Sequence, residues 1–447
     1  MRSAGLSTAL ALTIIVPAMA QPYIGDYDAE LRDGEHVDVE LMVERLQELG
    51  ANTYMWLIWH SPNDWEDLQA FLPLAREAGI TVWVYLVPPS ETSAVHPERG
   101  FPYSEPFRLD YVRWAEEIAE LSLEYENLVG YVIDDFWGNV SPQWFTPEYI
   151  RRMVDAGKAI NPDLKFYALM YTTYGQIGPE FARMMGPIID GVVAAYPKDR
   201  TAIVQALPYL NDTYELPARC TVSYPGWTPS QAGDFGFAEQ TVRVTDPNRA
   251  RLRFRYSDDF AGPTAGYHFM QVRINGNVVW ERDVAGADDG AVTLTLSRHA
   301  RGRVEVEIAL GIADRKGVGQ FGVTATFSDL HAGGLRLKGF DSPDVWRTHQ
   351  KGRFTIEMHP GYRGSGRFHL PLIVMPAGQR GEYEHRWGEE ATAERIAARV
   401  RMGLRLVREG KAEGVVTYCL NKTRGSEDFE AVRAAFEAFH NGEPLTD

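Results

Sequence analysis

The feature that most constrains the fold is an alternation of short β-rich runs with longer helical runs, which extends from Gln21 to about Asp199. This rhythm is typical of parallel strands joined by helices that cover the sheet. Glycine and proline mark its boundaries, as at Gly50 after one helical run and Pro88 after one strand-like run. The six predicted strands are Tyr23–Tyr27, Thr53–Trp59, Thr81–Val87, Leu128–Asp134, Lys165–Tyr171 and Gly191–Tyr196.

The rhythm changes in the middle of the chain. From roughly Pro217 to Leu337 helical periodicity is replaced by at least six alternating runs, with a hairpin signal at Asn275-Gly276. The βα pattern then resumes, with strands predicted at His369–Met375 and Gly414–Leu420. Six units before the β-rich region and two after it predict an α/β fold, a (β/α)₈ barrel with an all-β sandwich or jelly roll inserted between strands six and seven.

The predicted organisation has four parts. Residues 1–20 form a signal peptide, 21–216 the first part of the barrel, 217–338 the insert and 339–447 the last part of the barrel. The alternative is a series of separate α/β, β and α/β domains. Insertion is favoured because the last two units alone make a poor core, and a six-stranded barrel would have open edges.

The N-terminus has the pattern of an export signal. Arg2 precedes an apolar run from Leu6 to Val16, and Ala18-Met19-Ala20 has the small-x-small form of a cleavage site. The run is shorter than the roughly 20 apolar residues that span a bilayer. We expect a secreted or periplasmic protein, with no membrane span once the signal is removed.

Charge and cysteine content exclude several classes of partner and scaffold. A formal net charge of −16 without a basic stripe disfavours nucleic acid and anionic lipid, so neutral partners fit better. The two cysteines, Cys220 and Cys419, are too few for a disulfide scaffold or a zinc cluster, although one bridge between them is possible.

A parallel barrel places functional side chains at the carboxyl ends of its strands. The most informative stretch is Gly130–Asn139, where Asp134 and Asp135 end a run that should otherwise be buried. Strand side chains alternate, so if Tyr131 and Ile133 face inward, Asp135 does too, with Asp134 as second choice. The expected catalytic residues are Asp135, Asp134, Glu382 and Glu384, and the expected substrate-binding residues are Asp26, Asp28, Trp56, His60, Tyr85, Glu91, Trp137, Tyr171 and Asn421.

The sequence lacks the motifs that are typical of several other classes of enzyme. The chain has no nucleophile elbow, P-loop, zinc-protease helix or dinucleotide fingerprint in the right context, and its histidines show no tight ligand spacing. No organic cofactor and no metal are therefore expected, although a metal held by scattered Asp and His residues stays open.

Three short sequence segments resemble those of a known enzyme family. They are Gly50–Tyr54, Ala75–Ile80 and Ile133–Phe136. With them the chain resembles the TIM-barrel glycoside hydrolases, in many of which strand four ends in a catalytic acid. The resemblance implies a carbohydrate substrate cleaved by paired carboxyl groups, one protonated and one ionised. It departs from the commonest pattern, because strand four lacks an Asn-Glu pair and strand seven lacks a glutamate, so no single family is implied.

The insert has its own resemblance. The segments Gln271–Gly276 and Val279–Val284 are similar to jelly-roll modules of carbohydrate-active enzymes, which bind glycan or brace the catalytic barrel. The first hypothesis is thus a secreted glycosidase. The alternatives are a non-catalytic polysaccharide-binding or cell-surface protein and a metal-dependent barrel hydrolase or lyase.

Overall fold

A computed structural model describes residues 21–99, 102–172, 175–226, 230–263, 266–317 and 321–446 of the 447-residue chain. The predicted signal peptide, residues 1–20, lies outside the described residues. The chain divides into two compact units, one of residues up to 213 together with 366–447, and one of residues 214–365. Among the described residues, no helix combines the length and apolarity needed to cross a bilayer.

The first unit is built on a closed parallel barrel. Strand one pairs with strand two on one side and with strand eight on the other, which closes the sheet. This arrangement is a TIM barrel, as the sequence predicted. The described barrel strands are Tyr23–Tyr27, Thr53–Ile58, Thr81–Leu86, Leu128–Ile133, Lys165–Tyr171, Gly191–Ala195, Leu372–Met375 and Gly414–Tyr418.

Helices surround the barrel and begin where capping residues predict. Asp38, Asp110, Thr146, Asp199, Thr392 and Ser426 each accept a backbone hydrogen bond at a helix N-terminus. The described helices of this unit are Val39–Leu49, Asp64–Glu77, Tyr111–Glu124, Phe136–Asn139, Pro147–Ile160, Pro179–Met185, Arg200–Leu210, Arg380–Trp387, Ala393–Arg408 and Glu427–His440.

Near the N-terminal ends of its strands, the barrel interior is filled by a layer in which aromatic rings alternate with glycines. Odd-numbered strands contribute the rings of Tyr23, Trp83 and Tyr167, with the Trp83 ring 5.5 Å from Tyr23 and 4.7 Å from Tyr167. Even-numbered strands contribute glycine: a Cβ on Gly130 would lie 2.7 Å from the Trp83 ring, and one on Gly191 would lie 2.3 Å from the Tyr167 ring. Aromatic rings thus fill the space that the glycines leave.

The second unit consists of two five-stranded antiparallel sheets. Numbered along this unit from Arg219–Tyr224, the strand orders are 6-3-8-1-10 and 5-4-7-2-9. Buried residues of both sheets share one hydrophobic core, so the sheets form a sandwich, and strands one to eight have the order of a jelly roll. The ten strands are Arg219–Tyr224, Phe235–Arg243, Arg251–Asp258, His268–Ile274, Asn277–Asp283, Asp289–Thr295, Glu305–Asp314, Val323–Gly333, Arg347–Lys351 and Thr355–His359.

In the chain this unit lies between barrel strands six and seven, but it extends further than the sequence predicted. The predicted limits of 217–338 end too early, because Arg347–Lys351 and Thr355–His359 add one strand to each sheet. Every residue of Arg347–Lys351 is exposed, so this edge strand lacks the apolar alternation by which strands are recognised.

The glycine layer makes a testable packing prediction. Alanine at Gly130 brings a methyl group within 2.4 Å of the Lys165 carbonyl oxygen and against Trp83, whereas Gly138 faces open space. We expect Gly130→Ala to lower the free energy of unfolding by roughly 1–3 kcal/mol. Chemical denaturation measures this change, with Gly138→Ala as the matched control. Equal stability of the two variants would contradict the packing account.

Candidate active site

Five tyrosines form a wall at the carboxyl-terminal mouth of the barrel. Their rings contact one another in sequence, with centroid distances of 4.0 Å from Tyr27 to Tyr85, 5.1 Å from Tyr27 to Tyr418, and 5.0 Å from Tyr418 to Tyr196. Tyr171 stacks 5.8 Å from Tyr196. Burial raises the pKa of every one of these phenols, and the negative charge of Asp134 adds to the rise in all five. Asp134 therefore lies among them.

The side chains of strand four that were predicted to face the barrel interior face outward instead. Tyr131 stacks on Phe166 at 5.0 Å and lies outside the barrel, whereas Gly130 faces the interior ring of Trp83. The inward row is therefore Gly130, Val132 and Asp134. The expectation that parity makes Asp135 the inward aspartate was wrong.

Asp135 nevertheless lines the same pocket, because the backbone turns sharply after the strand. Asp135 adopts a left-handed conformation with φ of 41°, and its N–H donates to Oδ1 of Asp134 at 2.7 Å. Asp28, Tyr196 and Cys419, which follow strands one, six and eight, also have positive φ. Each such residue costs about 1–2 kcal/mol, and this kind of strain collects at functional sites.

Glu91 brings a third carboxyl group to the two aspartates. It ends the short 3₁₀ helix Pro89–Glu91 that follows strand three. Burial and the charges of Asp134 and Asp135 raise the pKa of Glu91 to about 8. Burial and the charge of Asp135 raise the pKa of Asp134 to about 7. Glu91 and Asp134 therefore hold a proton near neutral pH beside Asp135, and that proton belongs to the coupled groups rather than to one residue.

Asn139 fixes the turn that carries Glu91 against the turn that carries Asp135. This buried amide donates to the Asp135 carbonyl oxygen at 3.0 Å and to Oγ of Ser90 at 2.9 Å. Its own oxygen accepts the N–H of Ser90 at 3.0 Å. The sequence interpretation gave Asn139 no role, although its position four residues after Asp135 on a helical turn was a signal that it could reach back.

Glu382 and Arg386 supply opposite charges from the helix Arg380–Trp387 after strand seven. They form an ion pair one helical turn apart. The Arg386 guanidinium lies 5.3 Å from the Tyr171 ring and 4.7 Å from the Tyr196 ring, and its charge lowers the pKa values of Asp134 and Glu91. Arg386 was not among the residues predicted from the sequence.

These groups enclose a cavity of about 400 Å³. It contains five acidic side chains, one guanidinium and an aromatic wall to which Trp59 also contributes. Its charged lining residues are Asp28, Glu91, Asp134, Asp135, Glu382 and Arg386.

A larger groove of about 1010 Å³ shares Asp28 and Tyr418 with this pocket. His60 and Asn421, both predicted to bind substrate, line the groove. His60 Nε2 lies 3.0 Å from Oδ1 of Asp28. Burial raises the pKa of nearby Glu30 well above its usual range, and the negative charge of Asp28 raises it further.

Comparison with known proteins finds no matching family model and no matching curated protein. Solved structures give weak matches. A β-galactosidase from Rahnella sp. R3 is 13% identical over 43% of this chain and 42% of its own, with a TM-score of 0.29. An endo-1,4-β-mannanase from Eisenia fetida is 11% identical over 39% and 69%, with a TM-score of 0.28. A psychrophilic family 10 endo-β-1,4-xylanase is 13% identical over 42% and 69%, with a TM-score of 0.28.

Four of the predicted site residues lie away from both the pocket and the groove. Asp26 is fully buried in an ion pair with Lys422. Trp56 is also fully buried, and its Nε1 donates to the Asp64 carbonyl oxygen at 3.0 Å. Trp137 packs edge-on against a core phenylalanine, and exposed Glu384 accepts the N–H of Ala391. The side chains of all four point into protein or solvent.

The two cysteines do not form the bridge considered from the sequence. Cys220 and Cys419 are both free thiols. The Cys419 thiol instead lies 3.3 Å from Oδ2 of Asp28, to which it donates.

Because the carboxyl groups of the pocket repel one another, we expect the protein to become more stable against unfolding when one of them is replaced by a neutral amide. The pKa of Glu91 rises from 4.5 to about 8, so folding favours its protonated form and the native state loses stability as the pH rises through this window. We expect Glu91→Gln to raise the free energy of unfolding at pH 8 by on the order of 1–2 kcal/mol, after allowance for partial solvent screening, and by less at pH 5.

Denaturation of the two proteins at both pH values measures this effect. Glu384→Gln, which removes an exposed glutamate outside the pocket, is the matched control and should change little. A pH-independent change in Glu91→Gln would show that the cluster does not retain a proton.

Proposed function

We propose that the protein is a glycoside hydrolase. The observation that carries the proposal is the coexistence, in one pocket at the mouth of a parallel barrel, of a carboxyl cluster that retains a proton near neutral pH and a separate carboxylate paired with arginine. Hydrolysis of a glycosidic bond requires this combination, because one group protonates the leaving oxygen while the other attacks the sugar or activates water.

Glu91 is the proton donor in this proposal. It has the highest raised pKa of the cluster, and the charges of Asp134 and Asp135 help to keep its proton in place. A donor that is still protonated at neutral pH can release its proton to a glycosidic oxygen as negative charge develops there. Asp134 and Asp135 thus act on the reaction by tuning Glu91 and by accepting sugar hydroxyl groups.

Glu382 is the second catalytic carboxyl group. Its carboxylate is held in place by the ion pair with Arg386, and carboxylates serve as nucleophiles or bases in glycoside hydrolysis. The charges of Glu382 and Asp134 both raise the pKa values of Tyr196 and Tyr418, so the two acids flank the same phenols from strands seven and four. A sugar seated against these phenols would have the acid cluster on one side and Glu382 on the other.

The lining of the pocket favours a neutral sugar. Aromatic rings pack against the apolar faces of sugars, and carboxylates accept their hydroxyl groups. The net charge of −16 and five acidic side chains in the pocket oppose an anionic substrate. The adjoining groove provides room for further sugar units of an oligo- or polysaccharide. Export, which the sequence of residues 1–20 supports, is part of the same proposal.

Two glycosides with different leaving groups test the assigned roles. Glu91→Gln should lower kcat/KM on an unactivated oligosaccharide by roughly 10²–10⁴-fold, because general acid catalysis is worth that much. It should lower kcat/KM far less on a dinitrophenyl glycoside, whose phenolate leaves without a proton. Glu382→Gln should lower both rates, since its carboxylate is needed whichever group departs.

The substrates come from a panel of aryl glycosides of neutral sugars and of neutral polysaccharides, and Glu384→Gln is the control on the same helix as Glu382. Wild-type activity in both Glu91→Gln and Glu382→Gln would contradict the assignment. Tight glycan binding without turnover by the unaltered protein would identify a binding protein instead.

A further inference from the structure

A second cluster of ligand-type side chains lies beside the acid pocket, where strands one and two end. Asp28 and Glu30 follow strand one, and His60 follows strand two. One side-chain ligand atom from each residue lies within 4.8 Å of the other two. The three residues line the larger groove, and of the three only Asp28 also lines the acid pocket.

Glu30 has a carboxylate oxygen without a partner. Its side chain is only 1% exposed, and Oε1 accepts no hydrogen bond from the residues that the structure describes. A buried carboxylate oxygen left unpaired is costly, and such an atom in a cluster of acceptors requires a proton or a cation.

The neighbouring cations do not fill this role. The Arg32 guanidinium donates to Oδ1 of Asp64 at 2.7 Å and lies 3.6 Å from the other oxygen of Glu30. The Lys422 ammonium is bound to the Asp26 carboxylate and to the backbone oxygen of Asp28. Both cations are held by other acceptors, so neither pairs with Oε1 of Glu30.

We propose that Asp28, Glu30 and His60 bind a divalent transition-metal ion of the Zn²⁺ or Mn²⁺ type. Two carboxylates and one imidazole match the ligand preference of these ions, whereas Ca²⁺ and Mg²⁺ favour oxygen ligands alone. His60 binds through neutral Nε2, so the proton it shares with Asp28 leaves to solvent when the metal enters. The Cys419 thiol, which donates to Oδ2 of Asp28, orients that carboxylate.

The location of the cluster suggests what the metal would do. Three protein ligands leave coordination positions open, and His60 is 41% exposed at the groove. Water or a substrate hydroxyl group can occupy these positions. The inference goes beyond the proposed function, since the metal site shares no ligand with the acid cluster and would exist whether or not the protein hydrolyses glycosides.

Calorimetric titration of ZnCl₂ and MnCl₂ into the full chain, after dialysis against EDTA, tests the site. We expect one equivalent of Zn²⁺ or Mn²⁺ to bind, and His60→Ala to weaken binding at least tenfold. His60 is half-exposed, so this variant should fold. Glu30→Gln should weaken binding in the same way.

Two further variants separate this site from others. His36→Ala is the matched control, because His36 is also an exposed histidine paired with an aspartate, at 2.8 Å, and it belongs to no three-ligand cluster of the described residues. Glu91→Gln should bind metal as the unaltered protein does even if it loses hydrolysis, so the two proposals fail independently. Absence of binding, or binding unchanged by His60→Ala, would overturn the inference.

Discussion

Repulsion among the carboxyl groups of Glu91, Asp134 and Asp135 is the interaction on which the chemistry of this protein depends. Like charges in water would separate, but these are held on turns that follow two adjacent barrel strands, and Asn139 ties the turns together. The tyrosine wall limits solvent around them, so the repulsion is weakly screened and a proton is retained. The positive charge of Arg386 offsets part of the negative charge of these carboxyl groups. The pocket therefore contains both a protonated carboxyl group and ionised carboxylates.

The barrel supplies the rigidity that such an arrangement needs. Below the mouth, the rings of Tyr23, Trp83 and Tyr167 pack against glycines of the intervening strands. Strand positions are therefore set by close packing, and the left-handed residues at the mouth are held in conformations that they would not adopt alone. Asp28 connects the two candidate sites, since it lines the acid pocket and belongs to the proposed metal cluster.

Strand and helix positions were largely predictable, because glycine, proline and capping residues mark their ends. The facing of strand four was not, since a barrel strand is buried on both sides and Tyr131, Val132 and Ile133 carry no polarity difference. The sequence also placed Glu91 and Glu382 near the right strand ends. It could not show that Glu91 couples to Asp134, because pKa shifts depend on distances between groups far apart in the chain. The exposed edge strand Arg347–Lys351 was missed for lack of an apolar pattern.

Direct titration of the pocket carboxyl groups tests the central claim most closely. In protein labelled with ¹³C at the side-chain carboxyl carbons of Asp and Glu, NMR should show carboxyl resonances that titrate near neutral pH and are altered or lost in Glu91→Gln and Asp134→Asn. This result is predicted because the pKa values of Glu91 and Asp134 are raised to about 8 and about 7. If every carboxyl group in the pocket is already ionised at pH 6, no proton is held there and the account is contradicted.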